Sequence, residues 1–323
     1  MSTNSLRSML GAALAIALGS ALICGGASAD TLIVGKAAPN ADPIIALDVG
    51  TQAGIFKKHG LDITIVEFNG GGKMVQALTA GALEIGDGAG TEMALVAKGA
   101  PMRAICENTG TFPFLSIGVP WDSPLKSVKD LKGKKIGVSG AGSLTEWLVK
   151  ELARIEGWGA DGIAAVGIGN GASNVISAFR GNLVDGDVGA TSLFLQMEAE
   201  KTGRVLAPVS DFEGNAASGV LFASNTVIDS KPGAIRAFLA GWIETVDYMR
   251  AHKAETVKIE SKVTGFSEGV MAREYDLTIG MFTKDCRFNP QSLATLKRTF
   301  VDLKLLSAPP EMEKLYTEAF LPK

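Results

Sequence analysis

Residues 70–91 read GGGKMVQALTAGALEIGDGAGT, and residues 170–191, one hundred positions later, read NGASNVISAFRGNLVDGDVGAT. Seven of the 22 positions match: Gly71/Gly171, Val75/Val175, Gly81/Gly181, Leu83/Leu183, Gly86/Gly186, Asp87/Asp187 and Thr91/Thr191. Both stretches spell loop, helix, glycine stop, strand, loop, helix. The glycines follow from turn chemistry, because a helix that ends in the left-handed conformation accepts glycine without a Cβ penalty. Two ordinary strand–helix units sharing such stops would look alike without being related. Either way the chain has two comparable α/β halves.

Reading outward, strands and helices keep alternating. Thr31 to Val34 is a short apolar strand, and Asp42-Pro43 opens a helix with an N-cap and a proline at its first position. That helix is expected to run to Lys57-Lys58-His59-Gly60, where basic residues meet the negative helix end. Strands are expected at 63–68, 83–85 and 135–138, and helices at 73–80, 92–98 and 144–156. Ser143 and Glu146 have the spacing of a capping box, and Leu144, Trp147, Leu148, Leu152 and Ile155 give that last helix a core-facing stripe. Strands joined through helices make parallel sheets with right-handed crossovers. Leu115 to Val119 and Val220 to Ala223 are isolated apolar strands, expected as the two crossings of a hinge. The tail from Ser230 is mostly helical, and its helices should complete the first half.

The ends and the composition narrow the class. Arg7, the apolar run from Met9 to Ile23 and Ala27-Ser28-Ala29 together make a cleavable secretory signal over residues 1–29. Cleavage before Asp30 removes Arg7, leaving a charge of 30 − 34 = −4 and an exported, periplasmic chain. That balance offers no nucleic-acid surface. Cys106 and Cys286 remain; export permits a bridge, while two small buried thiols are the plainer expectation. With two histidines, His59 and His252, and no Cys-x-x-Cys, neither a transition-metal site nor a Ser-His-Asp triad is expected.

Other catalytic signatures fail as well. Gly70-Gly71-Gly72-Lys73 lacks the first glycine and the Ser/Thr of a phosphate loop. Gly167-Ile168-Gly169-Asn170-Gly171-Ala172, with Asp187 sixteen residues after Gly171, fits a dinucleotide fingerprint on paper, but in an exported chain. No cofactor is expected. The positive signal is a set of Gly/Ser/Thr loops that leave strands and open helices: 70–73, 88–91, 139–143, 169–173 and 189–192. Helix starts carry unpaired N–H groups and partial positive charge, so several of them around a cleft would make an anion site without a metal. Ser143 and Thr191 could be occupied as N-caps, and Lys73 would add a full charge or remain a solvated lysine.

Several ordered segments carry a resemblance. They are Gly54-Ile55-Phe56-Lys57-Lys58-His59-Gly60-Leu61-Asp62-Ile63, Gly71-Gly72, Ala77 to Gly86, Lys98-Gly99-Ala100-Pro101 and Lys129 to Val138. From about residue 31 to 323 the chain resembles periplasmic substrate-binding proteins of ABC importers, in the nitrate/sulfonate/taurine family, which includes thiamine-precursor binders. The resemblance implies an α/β, two-lobed type II periplasmic binding fold with lobe 1 at 31–117 and 222–323 and lobe 2 at 118–221. It implies a monomer that closes on a small-molecule ligand and delivers it to an inner-membrane ABC permease. Carried onto this chain, its ligand contacts fall on Asn40, Gly71, Gly72, Gly90, Thr91, Ser139, Gly142, Ser143 and Thr191, with Lys73 beside them. The candidate loops contain no aromatic residue on which a pyrimidine would stack, so small anions such as sulfonates, carboxylates or nitrate come first. An exported pyrimidine-directed enzyme, marked by a buried acid/base pair in the cleft, and a sensor for a receptor ectodomain are the alternatives.

Overall fold

The structure, a computed structural model, describes residues 30–38, 42–159, 162–169, 171–214 and 216–323. The expected signal segment, Asn40 and Asn170 lie outside the described residues.

The first sheet begins with β1 (Asp30–Lys36), β2 (Leu61–Glu67) and β3 (Ile85–Gly88), which are parallel, and adds β4 (Met102–Thr109). The second contains β5 (Leu115–Pro120), β6 (Lys135–Val138), β7 (Ala164–Gly167), β8 (Gly186–Ala190) and β9 (Gly203–Pro208). The chain then returns to the first sheet as β10 (Gly219–Ser224). The orders are β2-β1-β3-β10-β4 and β7-β6-β8-β5-β9. Each sheet thus has three parallel strands followed by an antiparallel one and an edge strand. The two are topological copies, in keeping with the matched segments. The chain passes between sheets in 110–114 and 209–218, so the two apolar stretches expected as crossings are themselves sheet strands.

The helices follow from caps and stops. In place of one long first helix there are α1 (Asp42–Gln52) and α2 (Ile55–Lys58), because Gly54 between them adopts φ 74°, the left-handed conformation that ends a helix. The first half adds α3 (Gly71–Thr79) and α4 (Met93–Ala97), the latter preceded by a 3₁₀ turn over Gly90–Glu92. The second half carries α5 (Leu144–Ile155), α6 (Ala172–Arg180) and α7 (Thr191–Ala199). In α5, Ser143 Oγ accepts from Glu146 N as expected, but the Glu146 carboxylate returns to Gly142 N rather than to Ser143 N. Of its expected stripe, Trp147, Leu148 and Leu152 are buried, whereas Ile155 is 43% exposed.

The tail comprises α8 (Asn225–Ser230), α9 (Pro232–Ala251), α10 (Lys253–Thr264), α11 (Glu268–Thr278) and α12 (Pro290–Asp302). Helix α9 buries Ile235, Phe238, Leu239, Trp242 and Val246, with Phe238 stacked on Phe56 of α2 at 5.2 Å, which covers the first sheet. The tail does more than complete that half. Val270, Met271 and Tyr275 of α11 form one apolar cluster with Leu195 of α7, and Arg298 of α12 donates to the buried Glu151 of α5 at 2.9 Å. Both contacts reach the second half.

The expectation of two separate thiols is overturned. Cys106 on β4 and Cys286, in the segment before α12, are disulfide-bonded, with Cα atoms 4.6 Å apart. The backbone brings them together: Glu107 N donates to the carbonyl of Cys286 at 3.1 Å. Proximity of this kind across 180 residues cannot be read from cysteine spacing.

Candidate functional site

In open α/β sheets ligands bind beyond the carboxyl ends of the strands. Here those ends enclose a cavity of about 390 Å³ between the two sheets. The segments after β1 (Ala37, Ala38), β3 (Gly88, Ala89) and β6 (Ser139 to Ser143) line it, together with the end of β8 (Val188 to Ala190). Gly71 and Gly72 present the start of α3, and Leu144 and Thr145 the start of α5. Two aromatics, Phe114 from a crossing segment and Phe266 from the α10–α11 turn, complete the wall. Neither belongs to the loops expected to carry the ligand.

Of the candidate contacts, Gly71, Gly72, Thr91, Ser139, Gly142 and Ser143 line this cavity, whereas Lys73, Gly90 and Thr191 do not. The reasons are local. Lys73 is exposed on the outer side of the first turn of α3. Gly90 is buried, and a Cβ there would lie 2.5 Å from the carbonyl oxygen of Ala217. Thr191 is the first residue of α7 rather than its cap, and its hydroxyl is shared with Ser116 at 2.8 Å and the Pro113 carbonyl at 3.2 Å.

Most of the expected anion donors are also engaged within the protein. Ser139 N donates to Thr145 Oγ1 at 2.9 Å, Ser143 N to the Gly140 carbonyl at 3.3 Å and Gly142 N to Glu146. Thr191 N donates to the Phe114 carbonyl at 2.9 Å and Gly90 N to that of Ala217 at 3.0 Å. At the start of α3 a carboxylate stands in front of the glycines. Glu92 accepts from Ala89 N at 2.8 Å, and its other oxygen lies where a Cβ on Gly71 would point. Burial pushes the Glu92 carboxyl up to about 7, against the lowering effect of its backbone hydrogen bonds.

The second carboxyl at the cavity is Asp187. It is 2% exposed and has no hydrogen-bond or ion-pair partner among the described residues. Burial alone pushes it up to about 8. Its counterpart in the matched segment is housed differently. Asp87 accepts from Asn108 Nδ2 at 3.1 Å, and its register partner on β1 is Lys36. The register partners of Asp187 are Gly137 on β6 and Gly118 on β5. A Cβ on Gly137 would lie 2.4 Å from Asp187 Oδ1. The missing side chain is therefore what accommodates the carboxyl. The charged residues lining the cavity are Glu92, Asp187 and the exposed Lys98. No group of three or more His, Cys, Asp or Glu residues among the described ones could hold a metal ion.

Residues 43–256 match the family model described as NMT1/THI5 like. The chain belongs to this family. A Brucella abortus relative, named only as a candidate binding protein, is 29% identical over 216 residues, which are 66% of this chain and 66% of that protein. The periplasmic aliphatic sulphonate binding protein SsuA from Escherichia coli superposes with a TM-score of 0.72 at 21% identity, over 89% of this chain and 92% of that one. The desulfurization enzyme DSZB superposes with a TM-score of 0.64 at 17% identity, over 90% and 97%. These likenesses identify the periplasmic-binding-protein fold, and DSZB shows that it also serves catalysis.

Proposed function

We propose that this chain is the solute-binding component of an ABC importer, exported behind residues 1–29, closing its two lobes on a small solute and presenting it to an inner-membrane permease. The observation that carries this reading is the cavity of about 390 Å³ between two topologically equivalent sheets, entered from the carboxyl ends of both sets of parallel strands. The passages between the sheets at 110–114 and 209–218 support a two-lobe division; the boundaries expected at 117/118 and 221/222 fall a few residues further on, within β5 and β10. The Cys106–Cys286 bridge supports export to an oxidising compartment. No helix of the described residues is long and apolar enough to cross a membrane.

The solute expected from the sequence is a small anion, and SsuA, which shares the fold, is named for sulphonates. Gly71 and Gly72 at the start of α3 support that expectation, but the Glu92 and Asp187 carboxyls and the internally used amides oppose it. Native mass spectrometry of protein purified from its own host tests the main reading: a small molecule released intact on denaturation supports it, and a chain empty through every gentle purification opposes it.

The two raised carboxyls also favour a second reading, an enzyme. Against it, neither histidine lines the cavity: His59 Nε2 bonds Glu244 at 2.8 Å and His252 stacks on Tyr248. Recovery of a chemically altered solute after incubation would favour the enzyme.

A further inference from the structure

Asp187 presents a problem in physical chemistry that the fold itself does not solve. A carboxyl taken out of water normally finds a donor, and one left without any costs stability. The matched segment shows a partial relief: Asp87 Oδ1 accepts from the Asn108 amide and the Lys36 charge lies nearby, although burial still raises its carboxyl well above the usual range and leaves Oδ2 without a hydrogen bond. In the second half both strand neighbours are glycines, so the chain supplies space around Asp187 but no partner. The space opens onto the cavity, and a second carboxyl, Glu92, faces the same cavity from the other sheet.

We propose that Asp187 is the solute's hydrogen-bond acceptor and that, with Glu92, it selects an apolar-bodied solute carrying a cationic nitrogen, an amine or amidine, over one carrying an anionic head. This rests on the solute-capture reading above and names the chemistry of that same site. Alanines, glycines, Leu144, Leu305, Phe114 and Phe266 provide the apolar wall for the body of the solute. The nitrogen end supplies the donor that Asp187 lacks, and adds one for Glu92 beside the Ala89 amide it already accepts from; a charge-assisted hydrogen bond in a desolvated cavity is among the stronger polar contacts available. An anionic head would instead keep both acids from ionising, with the exposed Lys98 as the one cation lining the cavity among the described residues.

The test compares benzamidine, benzylamine, benzyl alcohol and benzenesulfonate, which share a ring and differ in the head, by calorimetry and thermal shift on the mature protein. Benzamidine or benzylamine is expected to bind most tightly, with at least tenfold weaker binding in Asp187→Asn and a smaller loss in Glu92→Gln. Asp187→Asn is nearly isosteric and relieves a buried acid, so its unliganded Tm should equal or exceed that of the native chain. Near pH 7 Asp187 is mostly protonated and Glu92 partly so, so cation binding should release protons, read from buffers of different ionisation heat, and Asp187→Asn should lose the larger part of that release and Glu92→Gln the smaller. The titratable groups that share the cavity are Glu92 and Lys98. Tighter binding of benzenesulfonate, equal binding of benzyl alcohol, or unchanged amidine binding in Asp187→Asn overturns the proposal. Binding of none of the four also overturns it, whereas a different solute recovered by native mass spectrometry would leave the capture reading standing.

Discussion

At the scale of single residues, this protein keeps unusual acids. Glu92, Asp187 and Glu107 are pushed up to about 7, 8 and 7, in each case chiefly by burial. In the unfolded chain these groups ionise near pH 4, so between about pH 4 and 8 the native state binds more protons than the unfolded state. Stability contributed by these groups is therefore greatest at acidic pH and falls as pH rises through their folded pKa values. The Tm is expected to fall from pH 5 to pH 8.5, and the double variant Glu92→Gln/Asp187→Asn should flatten that slope; a Tm rising across the range would contradict the assignment. Small residues have equally specific duties. A Cβ on Gly118 would lie 2.1 Å from the buried Phe194 ring, so Gly118→Ala should cost about 1–3 kcal/mol in chemical denaturation.

At the scale of elements, caps and stops were the most legible part of the sequence because they are local. The strand at 135–138 and the helix opened by Ser143 follow directly from apolar runs, glycines and capping residues. Strand β4 escaped because Arg103 and Glu107 interrupt its apolar run. Buried there, Glu107 accepts from Asn289 N, 182 residues away, at 2.8 Å, a partner that no local pattern announces. The helix expected over 43–58 breaks because Gly54 can occupy the left-handed region, which a reading of apolar periodicity passes over. The candidate site was legible to the same degree: the glycine loops that line the cavity could be named, but not which of their amides are consumed internally. Asp187 stood out in the sequence as the match of Asp87 and as the acid of a dinucleotide fingerprint, neither of which marks it as a ligand contact. Its isolation depends on Gly118 and Gly137, which strand pairing alone brings beside it. Ser143→Ala, which removes the α5 cap, should lower stability by about 1 kcal/mol, measured by urea unfolding.

At the scale of the whole molecule, the two halves are held by more than their crossings. The α11–α7 cluster and the Arg298–Glu151 contact bridge them, and the Cys106–Cys286 bond closes a loop containing the entire second sheet. Replacing both cysteines by serine should cost about 2–5 kcal/mol, and a reductant should lower the Tm of the native chain but not of that variant. A captured solute stabilises the folded state by mass action. Ligand at one hundred times its Kd should add about 2.7 kcal/mol, seen as a concentration-dependent rise in Tm.

The position of β10 between β3 and β4 has a consequence for the order of assembly. The second sheet is built from one uninterrupted stretch, 115–208, whereas the first waits for residues 219–224 to be slotted into its middle. A chain emerging amino end first can thus finish its later half before its earlier one. During that interval β3 and β4 have no strand to join them. Under the export proposed above, such a delay would keep the chain loose enough to be threaded through a membrane before it sets.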